Sequence, residues 1–223
     1  MATKHLTVMF TDIKGFTNKT SHKTREELLT MLEDHERLVR PLFEKFGGTV
    51  IKTIGDAYLV TFESPTDAVL CGVKIQEVLR YHNKTAHENE NIEVRVAINS
   101  GEVTIRDNDV FGEPVNIAAR IEGIAEVNEV YFTEAVYLAM NKSEIPSAEV
   151  GLRYLKGIPN EIKVYKVLHE PKDKMSGSFQ AIRSRSSNTV AKTKKTIPRW
   201  LLIIFAVFLL ILVLKGAIDL FRL

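Results

Sequence analysis

The chain has a single cysteine, Cys71, among 223 residues. No internal disulfide and no cysteine-based zinc site can form, which fits a reducing compartment. The six histidines show no metal-ligand spacing, and His35, inside a helical pattern, reads as a packing or surface residue. Neither sign of charge dominates, and a formal net charge of +2 is too small for a nucleic-acid footprint. No nucleic-acid partner is expected. No internal repeat is visible, and Met1 is followed almost at once by a strand-like run at 6–10 rather than a secretory signal. What the chain does have is 45% hydrophobic content, enough for one good core with extensions at this length.

Apolar spacing orders the first part of the chain. Leu6, Val8 and Phe10 alternate as in a half-buried strand, and from Thr24 to Phe46 leucines, Val39 and Phe43 recur at helical spacing up to Gly47-Gly48. Runs at 49–54 and 57–62 flank Gly55-Asp56 and read as a hairpin. Ser64-Pro-Thr-Asp67 has the form of a helix start, and the helix it opens extends to about Tyr81. A strand at 92–98 completes the order βαββαβ. That order predicts an α+β fold, a ferredoxin-like core with an antiparallel sheet and helices on one face. A C-terminal αβαββ extension follows, with a helix at 113–124, a strand at 129–132, a short helix at 133–140 and strands at 151–155 and 161–168.

Two aspartates sit where strand-like runs break beside a glycine. Asp12 lies in Phe10-Thr-Asp-Ile-Lys-Gly-Phe-Thr17 and Asp56 in Ile51-Lys-Thr-Ile-Gly-Asp-Ala-Tyr58. Each is either a turn residue or one of a pair holding divalent metal, a task suited to carboxylates with substrate phosphates completing the shell. Asn116 and Arg120 are four apart on a predicted helix and so share a face. They are either a surface amide and an ion-paired guanidinium or a ligand-reading pair for a sugar oxygen and a phosphate.

Taken together these segments resemble the catalytic domain of class III adenylyl and guanylyl cyclases across about residues 3–168. The stretch 10–17 looks like the family's first metal motif, 51–56 its second, and Asp109-Val-Phe-Gly with Val115-Asn-Ile-Ala-Ala-Arg120 its nucleotide-reading segment. The resemblance implies two divalent cations, Mg²⁺ or Mn²⁺, held by Asp12, Asp56 and the Ile13 carbonyl. It implies further that backbone N–H groups of Gly15, Phe16 and Thr17 face the β- and γ-phosphates. Arg120 would stabilise the transition state, Asn116 would orient the ribose, and Lys52 with Asp109 would read the purine. A donor-only lysine and an acceptor-only carboxylate complement adenine, so ATP is the expected substrate, with conversion to cyclic AMP and pyrophosphate. Lys156 is the nearest match to a late lysine that contacts the terminal phosphates. The stretch 104–108 just before Asp109 departs from many relatives of the family. In the family each site is shared between two chains, which implies a head-to-tail C₂ homodimer here.

Other readings stay open at this point. They are a guanylate cyclase or an inactive cyclase-like regulatory module. An RNA-recognition sheet would need an aromatic-rich central strand, which Val50-Ile-Lys-Thr-Ile lacks, and a diguanylate cyclase would carry Gly-Gly-Asp/Glu-Glu-Phe in the hairpin.

Beyond this catalytic domain, residues 1–169, the composition changes. Residues 170–198 are rich in Ser, Lys and Arg and read as a flexible linker. Trp200 opens an apolar run to Leu214, and with Lys215 snorkelling the segment 199–218 approaches the roughly 20 residues that cross a bilayer. A C-terminal membrane anchor is expected, with 219–223 as a short tail beyond it. The basic flank at Lys192, Lys194, Lys195 and Arg199 places the catalytic domain on the cytoplasmic side.

Overall fold

A computed structural model describes residues 2–16, 21, 23–87 and 90–168. The expected linker, anchor and tail, like Thr17, lie outside the described residues, among which no helix is long and apolar enough to cross a membrane. The elements run β1 (Ala2–Ile13), α1 (Arg25–Lys45), β2 (Thr49–Ile54), β3 (Ala57–Phe62), α2 (Pro65–Asn83) and β4 (Val94–Arg106). Then come β5 (Asp109–Phe111), α3 (Glu113–Glu122), β6 (Val130–Thr133), α4 (Glu134–Ala139), β7 (Ser147–Arg153) and β8 (Ile162–Val167).

The strands form one sheet in the order β2-β3-β1-β4-β6-β8-β7, with β5 paired to β4. The first four give the expected βαββαβ core, all antiparallel. The β4–β6 pair is parallel, so the complete sheet is only mostly antiparallel. Helices also cover both faces, where sequence spacing placed them on one. Met9 and Ile13 of β1 join the main core with Val39 and Phe43 of α1, Ile75 of α2 and Val136 of α4. Leu6, Val8 and Phe10, pointing the other way, pack with Val103, Val110 and Ala118, the last on α3. A strand buried on both sides needs apolar residues in both registers, so β1 is buried from Leu6 through Thr11.

Local signals account for the helix ends. Thr24 caps α1 by accepting from the Glu27 N–H, while the Glu27 carboxylate accepts from the Thr24 N–H at 2.8 Å. Ser64 accepts from the Asp67 N–H and Pro65 opens α2.

His35 on α1 is 1% exposed and packs against the Tyr58 ring, with centroids 5.4 Å apart. Its Nε2 has no hydrogen-bond partner among the described residues. Burial pushes this imidazole down to about 4, against a smaller opposing pull from the Asp12 carboxylate. The folded state therefore keeps His35 neutral while the unfolded chain takes up a proton near pH 6.5. Stability is full above that pH and falls by up to about 3 kcal/mol as pH drops toward 4. In thermal unfolding between pH 4 and 7, His35→Leu should have a flatter pH dependence than the parent. An unchanged slope would assign the acid sensitivity to other groups.

Candidate active site

Asp12 and Arg95 stand opposite one another in the antiparallel β1–β4 register, so their side chains leave the same face of the sheet. Arg95 Nη2 donates to Asp12 Oδ2 at 2.5 Å and lies 2.8 Å from Glu122 Oε1 at the end of α3. The second contact is close but falls outside hydrogen-bond geometry, which leaves Glu122 Oε1 without a directed donor among the described residues. Asp56 enters from the β2–β3 turn. Gly55 supplies the positive φ of +64° that this turn needs, and Asp56 Oδ2 accepts from the Ile13 N–H at 2.9 Å.

Two sequence candidates, one on β1 and one in the β2–β3 turn, thus meet at the end of β1. Burial, then the Asp12 charge, raises the Asp56 carboxyl above its ordinary value. Burial and Asp12 likewise push Glu122 up to about 7, with Arg95 opposing. Arg95 pairs with Asp12 and Glu122 but not with Asp56, so the three carboxyl groups outnumber the guanidinium that offsets them. Hard oxygen donors in such a field fit Mg²⁺ or Mn²⁺. Among the described residues no group of three or more His, Cys, Asp or Glu is arranged to hold a metal by itself. A two-carboxylate site would instead draw its remaining ligands from substrate phosphates and water.

Lys52 of β2 and Asp109 of β5 come together as an ion pair, Nζ to Oδ2 at 2.5 Å. The Lys52 ammonium is the main reason the Asp109 carboxyl lies below its usual range, and the Val110 N–H, donating to Oδ1 at 2.8 Å, contributes. The pairing depends on a hairpin that sequence spacing missed. β4 runs on to Arg106, turns through Asp107 and Asn108 with φ of 52° and 59°, and returns as β5. Asp-Asn between Ile105 and Val110 is the signal that could have revealed it, since two positive φ values in a two-residue loop favour those residues.

Asn116 and Arg120 are both exposed on α3. The start of this helix is fixed tightly. A Cβ at Gly101 would stand 2.5 Å from Pro114 Cγ, so only glycine lets β4 and α3 approach this closely. Buried Asn99 donates to the Pro114 carbonyl at 3.0 Å and accepts from Thr133 at 2.7 Å, tying α3 to β6. At about 100° per residue, Glu122 lies roughly 200° round α3 from Arg120. The helix therefore turns Glu122 inward to the Asp12 cluster and Arg120 away from it.

The remaining expected residues are dispersed. Gly15 lies in the turn after β1, the adjoining Phe16 packs against the main core, and Thr17 is outside the described residues. Lys156 is exposed in the turn between β7 and β8. Arg95 and Glu122 went unnoticed in the sequence. No spacing rule links residues from β1, β4 and α3, and only the strand register brings them together.

Residues 1–169 match the family model described as the adenylate and guanylate cyclase catalytic domain. Among curated proteins, a serine/threonine-protein kinase pkn2 from Myxococcus xanthus is 39% identical over 188 residues, which is 84% of this chain and 23% of that protein. A putative adenylate cyclase 3 from Rhizobium meliloti is 26% identical over 168 residues, 75% of this chain and 28% of that one. The chain thus spans about a quarter of the length of these relatives. The crystal structure of the adenylyl cyclase CyaB from P. aeruginosa superposes with a TM-score of 0.67 at 24% identity, covering 78% of this chain and 99% of that one. With the acidic cluster, the Lys52–Asp109 pair and α3 in place on this sheet, the chain belongs to the adenylate and guanylate cyclase catalytic domain family.

Proposed function

We propose that this domain is an adenylate cyclase whose active sites form between two copies of the chain. The carrying observation is the orientation of α3. Asp12 and Asp56 gather at one place while Asn116 and Arg120 turn away from it, so one chain offers two half-sites rather than one whole. A symmetric head-to-tail pair completes both. An apolar run from Trp200 to Leu214 with its basic flank supports attachment of the domain to a membrane, on the cytoplasmic side, which would raise the local concentration of partners.

In the reaction the ribose 3′-oxygen attacks the α-phosphorus, the bond to the bridging oxygen of the β-phosphate breaks, and pyrophosphate leaves. Mg²⁺ or Mn²⁺ bound at Asp12, Asp56 and the Ile13 carbonyl would supply Lewis-acid activation of the hydroxyl and neutralise phosphate charge. Asn116 orients the ribose through its amide. Arg120 meets the charge that develops on the transferring phosphoryl oxygens, and a forked guanidinium matches that geometry. The Gly15, Phe16 and Thr17 N–H groups, with Lys156, hold the terminal phosphates.

Preference for ATP rests on Lys52 and Asp109. Their mutual ion pair keeps one a donor and the other an ionised acceptor, the complement of adenine N1 and the 6-amino group. Guanine presents the reverse at both atoms, leaving each charged group unpaired. Purified protein given ATP or GTP at equal concentration, with Mg²⁺ and with Mn²⁺, should favour cyclic AMP by at least about a hundredfold in kcat/KM. Equal or faster production of cyclic GMP would reject the assignment.

A further inference from the structure

We propose that Arg95 is a displaceable counter-ion of the metal site and that Glu122 is its landing point, so that a cation reaches Asp12 by sending the guanidinium to Glu122. The proposal rests on Asp12 being a metal ligand. Arg95 Nη2 already covers Asp12 Oδ2, and a guanidinium at that oxygen competes with a divalent ion for the same charge. Glu122 waits 2.8 Å from the same nitrogen without a well-aligned bond. Arg95 Nε is buried with no partner among the described residues, so the present arrangement leaves donor capacity unused. Rotation toward Glu122 would align the second contact and uncover Asp12. Both partners are partly buried, with side-chain exposures of 24% for Arg95 and 20% for Glu122, so the exchange takes place where charge is weakly screened.

Arg95 and Glu122 are positioning residues in this scheme, since both act through Asp12. Together they set how much metal the site requires. Without Glu122 the guanidinium has only Asp12 and holds it more firmly. Without Arg95 the carboxylate is open, and Glu122 no longer has a role in metal entry.

The test is a double-mutant cycle on Mn²⁺ binding by the full chain, read from the free-Mn²⁺ electron paramagnetic resonance signal with 3′-deoxy-ATP or 3′-deoxy-GTP, whichever the parent binds. No turnover is involved. Glu122→Gln should weaken Mn²⁺ binding about tenfold, whereas Arg95→Gln should strengthen it. The double variant should bind like Arg95→Gln alone. If Glu122→Gln weakens binding by the same factor in both backgrounds, Glu122 acts only through its field and the handover is wrong. Weaker binding by a folded Arg95→Gln protein would also overturn it. Arg95→Met, which retains an apolar stem, repeats the cycle so that a misfolded glutamine variant does not leave the result open. Asp12→Asn separates the two claims. If it leaves Mn²⁺ binding intact, the metal site itself is wrong; if it abolishes binding while the cycle is additive, only the handover fails.

Discussion

Asp12→Ala and Arg120→Ala are each expected to lower turnover by at least about a thousandfold, and an equal mixture should recover about a quarter of the parent activity. On the proposed reading the first change removes a metal carboxylate, and the second removes the group that meets transition-state charge. Each homodimer then has two broken sites. In a mixed dimer one site receives both defects and the other receives none. About half the dimers in an equilibrated mixture are mixed, and each has one working site of two, hence the quarter. The control is a mixture of Asp12→Ala with Asp56→Ala. Both changes fall in the metal half of the site, so every site in that mixture has one of them and no activity should return. Recovery in the control, or none in the first mixture despite mixed dimers seen by native mass spectrometry, would mean that the half-sites do not divide as α3 implies.

The second large effect concerns the base. Lys52→Glu combined with Asp109→Ser should reduce kcat/KM for ATP by about a thousandfold and raise that for GTP, since a carboxylate accepts from guanine where the lysine donated to adenine. Making only Lys52→Glu should be worse for both nucleotides. It would set two carboxylates against each other where an ion pair now spans 2.5 Å. Initial rates with each nucleotide measure both variants. A double variant that keeps its ATP preference would show that the purine is read elsewhere.

Much of this site was legible because its parts sit at punctuation marks. Asp12 and Asp56 follow apolar runs and adjoin turns, and Asn116 and Arg120 obey helical spacing. Resemblance to a known family supplied their grouping, which no local pattern contains. The meeting of Lys52 with Asp109 was hidden because β5 is only three residues long and too short for periodicity to register, although the positive-φ turn before it has a residue signature. Arg95 was invisible for another reason. On β4 it reads as the polar half of an alternating strand, and its role exists only through its register with Asp12 and the inward turn of Glu122. Placement of helices on both faces was likewise hidden. Continuous burial of β1 is the trace it leaves, yet Leu6, Val8 and Phe10 satisfy simple alternation equally well.

The acidic pocket around Asp12 is held by two devices. Arg95 neutralises part of the charge, while Asp56 and Glu122 hold their protons more tightly than free carboxyls do. Such a cluster is costly without a cation. A divalent cation bound there, as proposed, would offset that cost.

On the proposed reading one chain holds two half-sites and only a pair of chains makes a catalyst. Specific activity with ATP and Mn²⁺, followed across protein concentration from well below to well above the dimer dissociation constant determined by sedimentation, tests it most directly. Specific activity should fall toward zero with the monomer and level off as the dimer saturates. A constant specific activity down to concentrations where only monomer remains would contradict it.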